Sequence, residues 1–291
     1  MELILRKGRY IVAVSGGVDS MTLLFLINKF KTDDQEFVVA HFNHGIRTDS
    51  NIDEELVKKI SEEYDMPFVS EKVNLGKDVS EDEARKSRMK FLSRVKEEND
   101  ADYILTAHHK DDLIETALIN TLRGTGRRGL NSLISSKVFI RPLIKYSKED
   151  ILKFAKTNNI LWHEDSTNSE DKYLRNYIRL NIIPKMDETQ KENILGLIDK
   201  QNLLNEKIDD LLNSMSEGSS LDRHIFSSLS YSMAKEVMLS FIRKHGVYAY
   251  DKKLIDRITT ESLIQKSGKT VDINNDFTLK LTKEKINIIK R

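Results

Sequence analysis

Tyr10-Ile11-Val12-Ala13-Val14-Ser15-Gly16-Gly17-Val18-Asp19-Ser20 is an apolar, β-branched run that breaks into Ser-Gly-Gly and resumes as a helical pattern from about Ser20 to Phe30. That is a strand, a tight loop and a helix. The two glycines let the backbone approach a ligand without Cβ clashes, and the loop N–H groups with the positive helix start suit an anion such as phosphate. The lysine of the G-x-x-x-x-G-K-[ST] nucleotide loop is missing here, and no other segment supplies that pattern. The anion must therefore be held differently. Ser15 and Ser20 offer hydroxyls, and Asp19, unsuited to touching phosphate itself, is accounted for if Mg²⁺ sits between it and the phosphates. The plainer alternative is an ordinary β–α turn capped by serine and aspartate.

Working outward, strands alternate with helices. Glu36–Phe42, Pro67–Val73, Tyr103–Ala107 and Val138–Pro142 read as further strands, and helices are expected from Ser50 to Tyr64, from the Ser80-Glu81-Asp82-Glu83 capping box to Asn99, over Asp111–Arg123, and from the Ser147–Asp150 capping box to Asn158. This order predicts an α/β fold with a doubly wound, Rossmann-like parallel sheet, whose ligands bind at the carboxyl ends of the strands. The alternation ends at Ile183-Pro184, which places a domain boundary near 187: residues 1–187 form the first domain and 188–291 a smaller α+β unit. In that second unit Ile194–Met215, Ser232–Lys244 and Asp251–Gln265 read as helices, Glu217–Ser220 as a turn, and Lys269–Lys290 as strands around Asn274-Asn275-Asp276.

Composition narrows the class. Hydrophobic residues make up 39% and charged residues 32% of 291, and no apolar run approaches the ~20 residues of a membrane span. There is no cysteine, which excludes disulfides, thiolate metal sites and thiol catalysis, and Met1–Gly8 is too short for a secretory signal, so a cytoplasmic location without membrane attachment is expected. Forty-seven basic residues against 46 acidic give a net charge of +1, so any nucleic acid must bind a local basic patch.

Polar clusters follow several strands. His41-Phe42-Asn43-His44-Gly45-Ile46-Arg47 follows the second, where a polar turn is the bland alternative. His108-His109-Lys110-Asp111-Asp112-Leu113-Ile114-Glu115 follows the fourth, and its spacing turns Asp112 and Glu115 towards one face at a helix start, where they could hold a cation; the bland alternative is that Asp111 and Asp112 complement the helix dipole while His108 and His109 are solvated. The adjacent histidines do not make an i, i+4 zinc pair. Arg123-Gly124-Thr125-Gly126-Arg127-Arg128-Gly129 is a basic, flexible loop suited to phosphates, and Arg175 and Arg179 share a helix face beside Tyr173 and Tyr177, an arrangement able to hold a splayed base.

The Ser-Gly-Gly-Val-Asp-Ser loop resembles that of the PP-loop ATP pyrophosphatases, which cleave ATP to AMP and pyrophosphate while adenylating a substrate. With His41–Arg47, Ala84-Arg85-Lys86-Ser87-Arg88, His108–Thr116, Arg123–Leu130, Arg141-Pro142-Leu143, Glu164-Asp165-Ser166-Thr167-Asn168 and Arg175–Arg179, the series over about residues 10–184 looks like the tRNA(Ile)-lysidine synthase family. The resemblance implies an ATP pyrophosphatase catalytic domain over 1–187 and a tRNA-associated unit after it. It also implies a carbon–nitrogen ligase: ATP adenylates the wobble cytidine of a CAU anticodon in tRNA(Ile), and free L-lysine then displaces AMP. Carried over, Ser15, Gly16, Gly17, Val18, Asp19, Ser20 and His41 would bind ATP, and Asp19 and Asp112 would hold Mg²⁺. Asp112 and Glu115 would bind lysine, and Arg123, Arg127, Arg128, Arg175 and Arg179 would bind tRNA. Asp19, Arg88, His108, Asp112 and Glu115 would make the catalytic set, with a homodimer left open. Two alternatives stand beside this: a cytidine 2-thiolase or thiouridine synthase on the same loop, which the missing cysteines disfavour, and a nucleotide- or RNA-binding module without turnover, which would need no carboxylate pair.

Overall fold

β1 (Gly8–Ala13) has no polar face: Tyr10, Ile11 and Val12 are all fully buried, as a strand covered on both sides of a parallel sheet requires. The structure, a computed structural model, describes residues 1–43, 45, 50–73, 81–130, 133, 138–163, 174–247 and 250–291. After β1 come α1 (Val18–Phe30), β2 (Gln35–Asn43), α2 (Ser50–Glu63), β3 (Phe68–Lys72), α3 (Glu81–Glu98), β4 (Tyr103–Leu105), α4 (Lys110–Leu122), β5 (Phe139–Ile140) and α5 (Lys148–Thr157). The five strands pair in parallel in the order β3-β2-β1-β4-β5. This is the expected doubly wound sheet, with the strand order reversing between β1 and β4. In such sheets ligands bind at the carboxyl ends of the strands, at the point where the order reverses.

Each face of the sheet has its own core. Tyr10, Val12, Val39 and Leu105 pack with Leu23, Leu24, Leu26 and Ile27 of α1 and Ile151 and Ala155 of α5, whereas Ile11, Val38, Ala40 and Ile104 meet Phe91, Leu92 and Val95 of α3. Burying each such side chain is worth about 1.5–3 kcal/mol over leaving it exposed. Tyr10 stacks on Phe37 and Tyr103 at 5.3 and 5.2 Å, which ties three neighbouring strands at their amino ends.

Beyond α5 lie α6 (Leu174–Tyr177), a π-helical turn over Ile178–Ile182 and a 3₁₀ turn over Ile183–Lys185. The regular i, i+4 helix expected around Arg175 and Arg179 is thus a short α-turn that widens, and of Tyr177, Ile178 and Leu180 only Ile178 is buried. Next come α7 (Glu188–Ser214), β6 (Ser216–Glu217), β7 (Ser220–Asp222), α8 (Arg223–Ser228), α9 (Tyr231–Lys244), α10 (Lys252–Ile264), β8 (Thr270–Asp272), β9 (Phe277–Leu281) and β10 (Lys285–Lys290). The chain forms two compact units, Met1–Asp199 and Lys200–Arg291, and the division falls inside α7. The second unit contains an antiparallel sheet, β6-β7-β10-β9-β8, over a core of Leu221, Phe241, Ile258, Leu279 and Ile286. The stretch read as a turn at Glu217–Ser220 is the bend of the β6–β7 hairpin, whose strands are too short to carry a period. Among the described residues no helix is long and apolar enough to cross a membrane. The Ser80 cap, His44, Ile46, Arg47, Glu164–Asn168 and Tyr173 lie outside the described residues.

Candidate active site

The loop between β1 and α1 stands at the reversal point. Gly16 sits at φ +90°, in the left-handed region, and a Cβ there would lie 3.0 Å from Cβ and 3.2 Å from Oδ1 of Asp53, so any other residue would be both strained and crowded. The backbone N–H of Ser15 donates to Ser20 Oγ at 3.1 Å, and Ser20 Oγ donates to the Gly17 carbonyl at 2.9 Å. Gly17 is the N-cap of α1, and no side chain caps the helix. The turn capped by serine and aspartate is therefore not what forms: the serine hydroxyls, 3.2 Å apart, shape the loop. The first-turn N–H groups of α1 are left for an anion.

His41 supports this loop from below. It is buried, with Nδ1 2.9 Å from the Val14 carbonyl, and burial lowers its pKa, so it is a neutral imidazole donating to that carbonyl. Two groups clamp the loop from the side, neither of them in a sequence motif. The His163 backbone N–H donates to the Gly16 carbonyl at 3.1 Å, and His163 Nδ1 lies 3.0 Å from Asp53 Oδ1.

The end of β4 brings a second set of groups to the reversal point. His109, the N-cap of α4, is buried, and its backbone N–H donates to Asp112 Oδ2 at 2.9 Å. Its ring lies 3.8 Å from Asp19, 3.6 Å from Asp111 and 3.4 Å from Asp112. The loop and the start of α4 thus share this cluster. Neighbouring His108 holds Thr106 Oγ1 at 2.9 Å from Nδ1, and burial lowers its pKa to about 4, with the charges of Arg141, Arg88 and Arg85 acting in the same direction against Asp112. Arg88 is itself lowered by burial and by Arg85. His108 is a neutral ring in a cationic surrounding.

Glu115, only 3% exposed, joins two sets that lie sixty residues apart in the sequence. Arg175 Nε is 2.6 Å from Oε1, and Arg179 donates through Nε to Oε2 at 2.9 Å while its Nη2 is 3.4 Å from Asp112 Oδ1. The carboxylate pair and the arginine pair, read from the sequence as separate sites, form one mixed-charge cluster. Burial pushes the Glu115 carboxyl up to about 7, with the Arg179 guanidinium pulling it down and the Asp112 charge raising it. Burial alone would lower Arg179, but Glu115 and Asp112 outweigh it and hold that guanidinium above its ordinary value. Asp112 is the less buried acid, with 14% of its side-chain surface exposed against 4% for Glu115.

Arg123 is the C-cap of α4, and the loop after it folds back on the helix: Asn120 Nδ2 donates to the Gly129 carbonyl at 2.7 Å, and Thr125 N–H to the Asn120 carbonyl at 3.1 Å. Arg127 and Arg128 lie in that turn and are half-buried, with Arg128 Nε withdrawn from solvent. Among the described residues no set of three histidines, aspartates or glutamates converges as a metal site. Mg²⁺ commonly takes only one or two carboxylates and completes its shell with water and phosphate oxygens, and the hard oxygens of Asp19 and Asp112 beside the anion loop suit that mode.

The PP-loop domain family matches residues 2–186. The tRNA(Ile)-lysidine synthase of Thermotoga maritima is 38% identical over 213 residues, covering 69% of this chain and 51% of that protein. That of Borrelia garinii subsp. bavariensis is 32% identical over 305 residues, covering 98% of this chain and 69% of the relative. The chain thus spans about half the length of several curated relatives it matches. Among solved structures, the U34-tRNA thiolase NcsA from Methanococcus maripaludis with its 4Fe-4S cluster superposes with a TM-score of 0.58 at 19% identity, over 69% of this chain and 74% of that one, a likeness of fold.

Proposed function

We propose, from the premise that this chain belongs to the PP-loop family and within it to the tRNA(Ile)-lysidine synthases, that it ligates free L-lysine to C2 of the wobble cytidine in a CAU anticodon. The observation that carries this reading is a juxtaposition at the ends of β1 and β4. An uncapped glycine loop suited to phosphates lies beside a cluster of carboxylates and guanidiniums suited to a zwitterionic amino acid.

In the first step the cytidine 2-oxygen attacks the α-phosphorus of ATP, and the bonding pair of the broken P–O bond leaves with pyrophosphate. Loop N–H groups hold the phosphates, and Mg²⁺, on Asp19 and Asp112, would neutralise part of their charge. Arg88 and neutral His108 are assigned to steadying the charge that develops on the base and the leaving group, a role typically worth a few kcal/mol per group. In the second step the lysine amine attacks C2 and AMP departs. At an ordinary pKa near 10.4, freeing that amine at pH 7 costs about 4–5 kcal/mol, so the site must take the proton. Asp112, the more accessible acid, is assigned that role, and Glu115 with Arg179 orients the ammonium and carboxylate of the substrate. Arg123, Arg127 and Arg128 are assigned to tRNA phosphates. The wobble base must be flipped out to reach the site.

The cytidine 2-thiolase alternative is disfavoured because this chain has no cysteine to carry sulfur or a cluster. Pyrophosphate release measured with and without tRNA and lysine separates an adenylating enzyme from a binding module, and dependence of the modified product on lysine separates the ligase from a thiolase. A lysidine synthase releases it when tRNA is present, whereas a binding module releases none under any condition.

A further inference from the structure

The anion loop contains no cation of its own, yet one reaches it from the far edge of the sheet. Lys148, the first residue of α5, places Nζ 2.7 and 2.8 Å from the two oxygens of Asp19. Its backbone is fixed from both sides. Ser147 Oγ accepts from the Asp150 N–H at 3.1 Å and Asp150 Oδ2 accepts from Ser147 N–H and Oγ at 2.9 and 2.7 Å, while the Lys148 N–H donates to Asp111 Oδ2 at 2.6 Å. The side chain is 40% exposed, in contrast to this anchored backbone. An ion pair that exposed adds little to stability, too little to account for a lysine delivered to this position across 129 residues.

We propose that Lys148 is the phosphate-binding lysine that the loop sequence lacks, supplied from the start of α5, with Asp19 holding it at the loop until nucleotide arrives. It rests on the ATP-adenylation reading above. The polyphosphate of ATP carries more negative charge than one aspartate, so the ammonium turns from Asp19 to the β- and γ-phosphate oxygens while its backbone stays in place. There it stabilises the electron pair that passes to pyrophosphate as the α–β P–O bond breaks. The geometry also accounts for a loop motif, Ser15–Ser20, that contains no basic residue.

The test compares ATP with AMP, which lacks the phosphates that Lys148 would touch. In Lys148→Met, ATP affinity measured by equilibrium dialysis should fall about 10- to 100-fold, the loss of one charge-assisted contact, while AMP affinity moves less than about threefold. Lys148→Arg, which keeps the charge, should retain ATP affinity within about tenfold of wild type. A variant that merely misfolds would lose ATP and AMP alike and fail to be rescued by arginine, and that result overturns the proposal. So does an unchanged ATP-to-AMP ratio in Lys148→Met. Wild-type protein that binds ATP but releases no pyrophosphate with tRNA refutes the adenylation reading, and the affinity ratio still decides where the phosphates sit.

Discussion

Placing a side chain at Gly16 should damage the loop by an amount that can be worked from its geometry. At φ +90° an L residue is strained by about 1–2 kcal/mol. A new Cβ 3.0 Å from Asp53 Cβ adds an overpacking cost of about 1–3 kcal/mol, because the neighbour is the root of a side chain rather than its flexible end. Gly16→Ala should therefore lose about 2–5 kcal/mol, unless the loop rearranges and gives up the hydrogen bond from His163 N–H to the Gly16 carbonyl. Gly17 is the internal control. Its φ is −76° and a methyl added there would have Ser15 Oγ as its nearest neighbour, at 3.7 Å, so Gly17→Ala should change stability by less than about 0.5 kcal/mol. Thermal melts give the stabilities, and dialysis gives ATP affinity, which should fall in both variants because both glycines belong to the loop assigned to the phosphates, where added side-chain bulk restricts close backbone approach. Equal melting temperatures for Gly16→Ala and wild type, or wild-type ATP affinity in Gly17→Ala, would refute the reasoning about this loop.

Three other outcomes are expected. Arg179→Met removes the charge that opposes burial at Glu115, so the Glu115 carboxyl, already at about 7, should titrate higher still in a carbon-13 NMR titration; an unchanged or lower value would place its control elsewhere. Replacing Arg127 and Arg128 with alanine should weaken tRNA binding and flatten its salt dependence, each lost phosphate contact reducing the slope by about one; an unaltered slope means the RNA follows another path. His108 has a folded-state pKa of about 4, below its unfolded value, so its contribution to stability is present above pH 6.5 and lost as pH falls towards 4. His108→Gln should therefore narrow the stability difference between pH 7 and pH 4.5 by on the order of 1–3 kcal/mol, and identical pH profiles would count against a buried neutral ring.

The parallel sheet is readable in the sequence because β1 and the middle of β2 carry apolar runs, Tyr10–Val14 and Phe37–Ala40, and strand-like stretches alternate with helical ones; α1 and α5 announce themselves by apolar faces and, at Ser147, a capping box. The β6–β7 hairpin and α8 are not, since strands of two and three residues show no period. At the site, the anion loop is legible from Ser15 to Ser20 because its function depends on local backbone. The side-chain clusters are less so. Arg175 and Arg179 read as a nucleic-acid face, and only the packing of the π-turn against α4 reveals them on Glu115. Lys148 carries a weak signal, a lysine directly after a helix cap at the carboxyl edge of the sheet, yet reads there as a helix-start residue alone. Asp53 and His163 carry none: each acts on Gly16 through tertiary geometry.

The most direct test of the ligase assignment is the mass of the anticodon fragment after the protein is incubated with ATP, Mg²⁺, L-lysine and tRNA(Ile) bearing CAU. The expected result is a wobble cytidine that has gained one lysine with loss of water, formed only when both ATP and lysine are present. An unmodified cytidine despite ATP consumption, or a cytidine whose 2-oxygen has been replaced by sulfur when a sulfur donor is supplied, would contradict it.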